Sequence, residues 1–163
     1  RAIDLPHYID TEINSYDKVS VVEQKFWGKF KGAAFLVFPT GTGKKLITLL
    51  DGGAQVFESD PIYELEMESF REVGNILIGA CVGKIAELLD DVITYSPPRV
   101  VVEKKHCGVV PVDLFEENSM AIVLKTLFEF NENNVSGYLF IVTSQESFTW
   151  LKSALYKFLS QYE

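Results

Sequence analysis

Apolar and polar residues change period several times along this chain, and each change marks an element. Arg1 to Ile9 is short and apolar-rich, with Pro6 near its middle, and reads as an edge strand. Val19 to Phe30 reads as a longer strand. Lys31-Gly32 turns it into Ala33-Ala34-Phe35-Leu36-Val37-Phe38, the continuous apolar run of a buried strand. Pro39-Thr40-Gly41-Thr42-Gly43 then leads to a short helix, Lys44 to Leu50, stopped by Gly52-Gly53. A long helix is predicted from Ser59-Asp60-Pro61, with Asp60 as N-cap and Pro61 at the first helical position, to about Asp90-Asp91.

Beyond that helix the order recurs. Val92 to Val100 echoes Arg1 to Ile9, prolines included. Met120 to Phe130 echoes Val19 to Phe30, and Gly137 to Thr143 echoes Gly32 to Phe38. Ser144 caps a last helix through Leu159, with Phe148, Leu151, Leu155, Phe158 and Leu159 as its apolar positions. The pattern is that of one domain, residues 1–163, made of two internal repeats over about 1–58 and 59–163. A long helix precedes the proline-bearing strand in the second copy only, so the first repeat is expected to lack its leading helix.

The long helix carries two unlike faces. At about 100° per residue, Glu68, Glu72, Asn75 and Gly79 fall within an arc of about 60°. Phe70, Val73, Leu77, Ala80 and Leu88 gather opposite and are the expected core side. An acidic outer face is ordinarily just solvated. Here, however, Asn75 is a mediocre helix former, and Gly74 and Gly79 each cost about 1 kcal/mol in a helix interior relative to Ala. Their clustering points to something that must come close to this helix.

Composition narrows the function classes. Apolar content of 47% in 163 residues is ample for a folded interior. No run approaches the length of a membrane span, and no secretory pattern opens the chain. A formal charge of −8 opposes nucleic-acid binding, which needs clustered Lys and Arg. Cys81 and Cys107 make no disulfide framework, and a reducing cytoplasm is the expected home. Cys81 reads as a small core residue, and His106-Cys107 is a weak metal signal. The run Gly41-Thr42-Gly43-Lys44-Lys45 does not make a nucleotide loop: Phe38 stands where its first glycine belongs, and Lys45 where Ser or Thr belongs. Ser20, Ser136 and the two histidines lack a nucleophile-elbow context, and His7 reads as a surface or edge residue.

The segment Glu72-Val73-Gly74-Asn75-Ile76-Leu77, with Pro98 twenty-two intervening residues past Asn75, resembles the signature of the CheC, CheX and FliY phosphatases of bacterial chemotaxis. That signature opens with Asp or Ser four places before the Glu, where this chain has Glu68, with Ser69 one place out of register. The resemblance implies an α+β, sandwich-like fold, duplicated about a pseudo-two-fold axis, with a central antiparallel or mixed sheet of about six strands and a long helix presenting the site. CheX-type members have one site per chain, and one is expected here.

The resemblance further implies a phosphorylated CheY-like regulator as partner, whose aspartyl phosphate is hydrolysed with Mg²⁺ brought by the regulator and no intrinsic cofactor. Asn75 would orient the attacking water, since a carboxamide both accepts and donates. Glu72, one turn earlier, would pair with a regulator lysine. Glu68 would contribute an acceptor, Gly74 and Gly79 would let the partner's backbone approach, and Pro98 would shape the wall. A homodimer is a further expectation. The alternative is a catalytically silent module of the same fold, as in the middle domain of the switch protein FliM, or an adaptor for a CheD-type deamidase.

Overall fold

The computed structural model describes residues 5–50, 62–105, 108–109, 111, 119–130 and 133–162. In chain order these form α1 (Leu5–Glu12), β1 (Lys18–Trp27), β2 (Gly32–Pro39), α2 (Thr42–Leu50), α3 (Ile62–Leu88), β3 (Thr94–Tyr95), β4 (Arg99–Lys105), β5 (Ser119–Phe130), β6 (Asn133–Ser144) and α4 (Gln145–Leu159). The fold is α+β. Its described strands make one sheet in the order β3–β1–β2–β6–β5, with β4 pairing the same edge of β1 as β3. Every pairing is antiparallel. Two hairpins, β1–β2 and β5–β6, each run into a helix, and β2 pairs with β6 at the centre.

Strand β2 is buried from Ala33 to Phe38 because both faces of the sheet are covered. On one face Val22, Phe26, Ala34, Leu36, Phe38, Leu139 and Ile141 meet Leu46 of α2, Phe70, Val73, Ile78 and Val82 of α3, and Leu151 of α4. On the other, Val19, Val21, Ala33, Phe35, Val37, Phe140 and Val142 meet Ile9 and Ile13. Those two isoleucines lie four apart and are both fully buried. That is a helical spacing, so residues 5–12 form α1 rather than the edge strand expected over Arg1 to Ile9. Pro6 sits in the first turn of α1, where its missing N–H leaves no bond unmade. His7 accordingly lies on a helix, exposed.

The strand expected over Val92 to Val100 is broken. Thr94–Tyr95 pairs with Phe26–Trp27, residues 96–98 leave the ladder, and β4 resumes against Lys18 to Glu23. Consecutive prolines at 97 and 98 remove two donors from that edge. Ser144 caps α4 as read from the sequence, its hydroxyl accepting the Ser147 N–H at 3.2 Å. Leu155 and Leu159 are exposed, against expectation, because α4 meets the sheet face only in its first turns. Between them Phe158 rests on Tyr162, with ring centroids 5.1 Å apart. The expected cap at Asp60-Pro61, the Gly52-Gly53 stop and the His106-Cys107 pair lie outside the described residues.

Helix α3, 27 residues long, lies across the sheet. Its buried line steps by fours, Phe70, Gly74, Ile78, Val82 and Ala86, joined early on by Val73. Such a row is inclined to the helix axis by about 26°, so the buried side winds around the helix along its length. Ala80 and Leu88, placed in the core by a straight stripe, are therefore exposed, and Leu77 is only partly buried.

Candidate functional site

On the first half of α3 the outward face carries Glu68, Arg71, Glu72, Asn75 and Ile76, all exposed. Glu72 and Asn75 lie one turn apart on this face. Among the described residues Glu72 has no ion-pair partner. Glu68 pairs with Arg71 at 3.4 Å, on a surface where both side chains are well solvated, and such a pair adds under about 1 kcal/mol. Ile76, 57% exposed, is an apolar residue that the sequence reading did not single out. Its signal was available, four residues after Glu72 and beside Asn75.

The two glycines differ. A Cβ on Gly74 would lie 2.4 Å from Val22 Cγ1, so Gly74 is the notch that lets α3 settle on β1. It is buried and unavailable to a partner, which corrects the expectation that it admits another backbone. A Cβ on Gly79 would meet nothing within 4 Å among the described residues. The chain's own packing does not require that glycine.

Behind Asn75 lies a polar chain that no local signal announces. The row of β1 that faces α3 reads Ser20, Val22, Gln24 and Phe26, all buried. Gln24, 3% exposed, donates from Nε2 to Asn75 Oδ1 at 3.0 Å and to the Ser96 carbonyl at 2.9 Å. Ser96 frees that carbonyl in an unusual way. Its N–H donates to the Lys25 carbonyl, but the Lys25 N–H is accepted by the Ser96 hydroxyl, each at 2.9 Å. In a regular antiparallel pair the carbonyl would take that bond. The half-buried Pro98 thus stands at the end of a break whose first residue is linked through Gln24 to Asn75.

Two buried acceptors or donors go unmet nearby. Gln24 Oε1 and the Tyr95 hydroxyl have no hydrogen-bond partner among the described residues. A buried polar atom without a partner costs about 1–3 kcal/mol. Burial pushes the Tyr95 phenol up from its ordinary range, and pushes the Cys81 thiol up likewise. Cys81 is partly buried against the core, as its sequence setting suggested.

The site is convex. Two open clefts, of about 400 and 560 Å³, lie elsewhere: one is lined by Lys25, Trp27, Lys31 and Thr143, the other by Lys29, Leu89, Trp150 and Phe158. Neither includes α3 residues 68–80. Among the described residues no group of three or more His, Cys, Asp or Glu is placed to hold a metal ion. No described helix is long and apolar enough to cross a membrane. A protruding acid and carboxamide suit entry into another molecule's pocket better than capture of a small one.

Residues 71–102 match a family model described as CheC-like. That segment includes Glu72, Asn75, Ser96 and Pro98. The fold is similar to that of FliY from Thermotoga maritima, with a TM-score of 0.64 at 18% identity, covering 95% of this chain and 77% of that one. It is also similar to the CheX–CheY–BeF₃–Mg²⁺ complex from Borrelia burgdorferi, with a TM-score of 0.53 at 14% identity, covering 86% and 94%. CheX from a Desulfovibrio desulfuricans subspecies gives 0.51 at 15%, covering 76% and 75%.

Proposed function

We propose that this chain, which matches a CheC-like family model over residues 71–102 and shares the fold of the FliY and CheX structures, dephosphorylates a CheY-like response regulator. The observation that carries the reading is the pairing of an exposed Glu72 and Asn75 one turn apart on a convex helix face. The Borrelia burgdorferi structure holds CheX with CheY, which supports a regulator of that kind as partner.

In this reading Glu72 meets a lysine of the regulator and fixes the register, and Asn75 enters beside the aspartyl phosphate. Asn75 holds a water in line with the scissile bond. The water oxygen forms a new bond to phosphorus as the bond from phosphorus to the aspartate oxygen breaks. The electron pair leaves with the carboxylate, and the water's proton departs on the released phosphate. A carboxamide suits the task because a carboxylate at that place would repel the phosphoryl oxygens. Mg²⁺ comes with the regulator and neutralises charge there. Gly79 leaves room for the partner, while Glu68 acts only at the rim, through its surface pair with Arg71. The same proposal takes residues 1–58 and 59–163 as two repeats, with the two hairpin–helix units as their shared part, and the cytoplasm as the setting.

The test is the decay of a phosphorylated CheY-type regulator with and without a sub-stoichiometric amount of this protein. Acceleration with turnover is expected. Binding in equal amounts without acceleration would instead support the silent binding module.

A further inference from the structure

We infer that Gln24 is a positioning residue for Asn75, a buried amide that fixes which end of the Asn75 carboxamide faces the partner. This rests on the phosphatase reading above.

The Ser96 carbonyl can only accept, so the end of Gln24 that lies 2.9 Å from it is the N–H₂. The same nitrogen lies 3.0 Å from Asn75. Both of its hydrogens are then committed, and the Asn75 atom facing it has to be the acceptor, Oδ1. The carboxamide of Asn75 is thereby locked against the half-turn that would exchange its oxygen and nitrogen. Nδ2 and the second lone pair of Oδ1 are left for a ligand, and among the described residues Nδ2 makes no hydrogen bond.

Three features show that Gln24 is held for this role rather than for packing. On the face that α3 covers it stands between two fully buried apolar side chains, Val22 and Phe26. Its own Oε1 is buried without a partner among the described residues, a cost of about 1–3 kcal/mol that packing alone gives no reason to carry. The Ser96 carbonyl reaches it only because the Ser96 hydroxyl has taken over the ladder bond from Lys25. A solvent-exposed asparagine on a helix otherwise samples several rotamers, and the water it holds would sample them too. A fixed amide removes that freedom before the partner arrives.

Gln24→Met is the variant of choice, with Gln24→Leu as a second. Four quantities are compared with the unsubstituted protein: kcat on the phosphorylated regulator, affinity for the regulator activated with beryllofluoride, melting temperature, and the side-chain amide signals and χ1 couplings of Asn75 by NMR. The expected result is a kcat lower by about tenfold, an affinity within about twofold, and Asn75 passing from one rotamer to an average. A kcat kept within twofold in a protein that does accelerate dephosphorylation overturns this inference alone. So does a loss in which kcat, affinity and melting temperature fall together, or an Asn75 already averaged in the unsubstituted protein. Absence of any acceleration by the unsubstituted protein overturns the phosphatase reading and this inference with it.

Discussion

Gly74 rests directly on Val22: a Cβ at the glycine would stand 2.4 Å from one valine methyl and 3.0 Å from the valine Cβ. Val22 is β-branched, with little rotamer freedom, and is itself fully buried, so it has nowhere to retreat. The contact sets how deeply α3 seats at Asn75, the next residue along, and so how far the carboxamide stands from Gln24.

Gly74→Ala is accordingly expected to destabilise the fold by about 1–3 kcal/mol, an overpacking effect. Gly79→Ala, where a Cβ would meet nothing within 4 Å among the described residues, is expected to stabilise it by about 1 kcal/mol. Urea unfolding of the two variants checks the opposite signs. Val22→Ala combined with Gly74→Ala should recover part of the first loss.

Asn75→Ala should lower turnover of the phosphorylated regulator by about a hundredfold while changing stability by no more than about 1–2 kcal/mol, because the bond lost from buried Gln24 is set against the better helix propensity of Ala and Gln24 retains its bond to Ser96. Phosphate release and circular dichroism on the same preparation decide it. Undiminished turnover removes Asn75 from the chemistry.

Glu72→Gln should act on association instead. The expected outcome is a KM raised by roughly 3–10-fold with kcat little changed, and a weaker dependence of KM on salt, because one charge pair with the partner is lost. Steady-state kinetics at two ionic strengths measure it.

Tyr95→Phe should be neutral or stabilising by about 1 kcal/mol, because the hydroxyl it removes is buried without a partner among the described residues. The same burial gives a pH signature. Tyr95 and Cys81 both have raised pKa values in the fold, so the unfolded chain gives up these protons first as pH rises. Stability is fully present below the unfolded values, about 8.5 for cysteine and 10 for tyrosine, and declines above them. Unfolding curves between pH 7 and 10.5 should show that decline, less steep at its upper end in Tyr95→Phe.

What was legible in the sequence follows the strength of each local signal. The unbroken apolar run from Ala33 to Phe38 announced a strand covered on both faces, and Ser144 before Gln145 announced the start of α4. The outward direction of Glu72 and Asn75 followed from helical spacing alone. Misreadings arose where tertiary placement overrules local pattern. Residues 5–12 are too few for periodicity to separate helix from strand. The winding of the buried line on α3 comes from the angle at which the helix crosses the sheet, which no single helix reports. Gln24 carries no local mark of its role, since nothing in the strand says that a helix lies over it. Gly74 gave a correct sign of close approach, but the approaching group was Val22 rather than a partner.

The gap at Ser96 to Pro98 has an effect at the rim of the sheet as well. β3 and β4 form its outermost row on that side, where an uninterrupted strand would offer a template for a neighbouring molecule to zip onto. Two imino residues and a carbonyl turned inward leave that border discontinuous, so the interruption that serves Asn75 also guards the sheet against edge-to-edge aggregation.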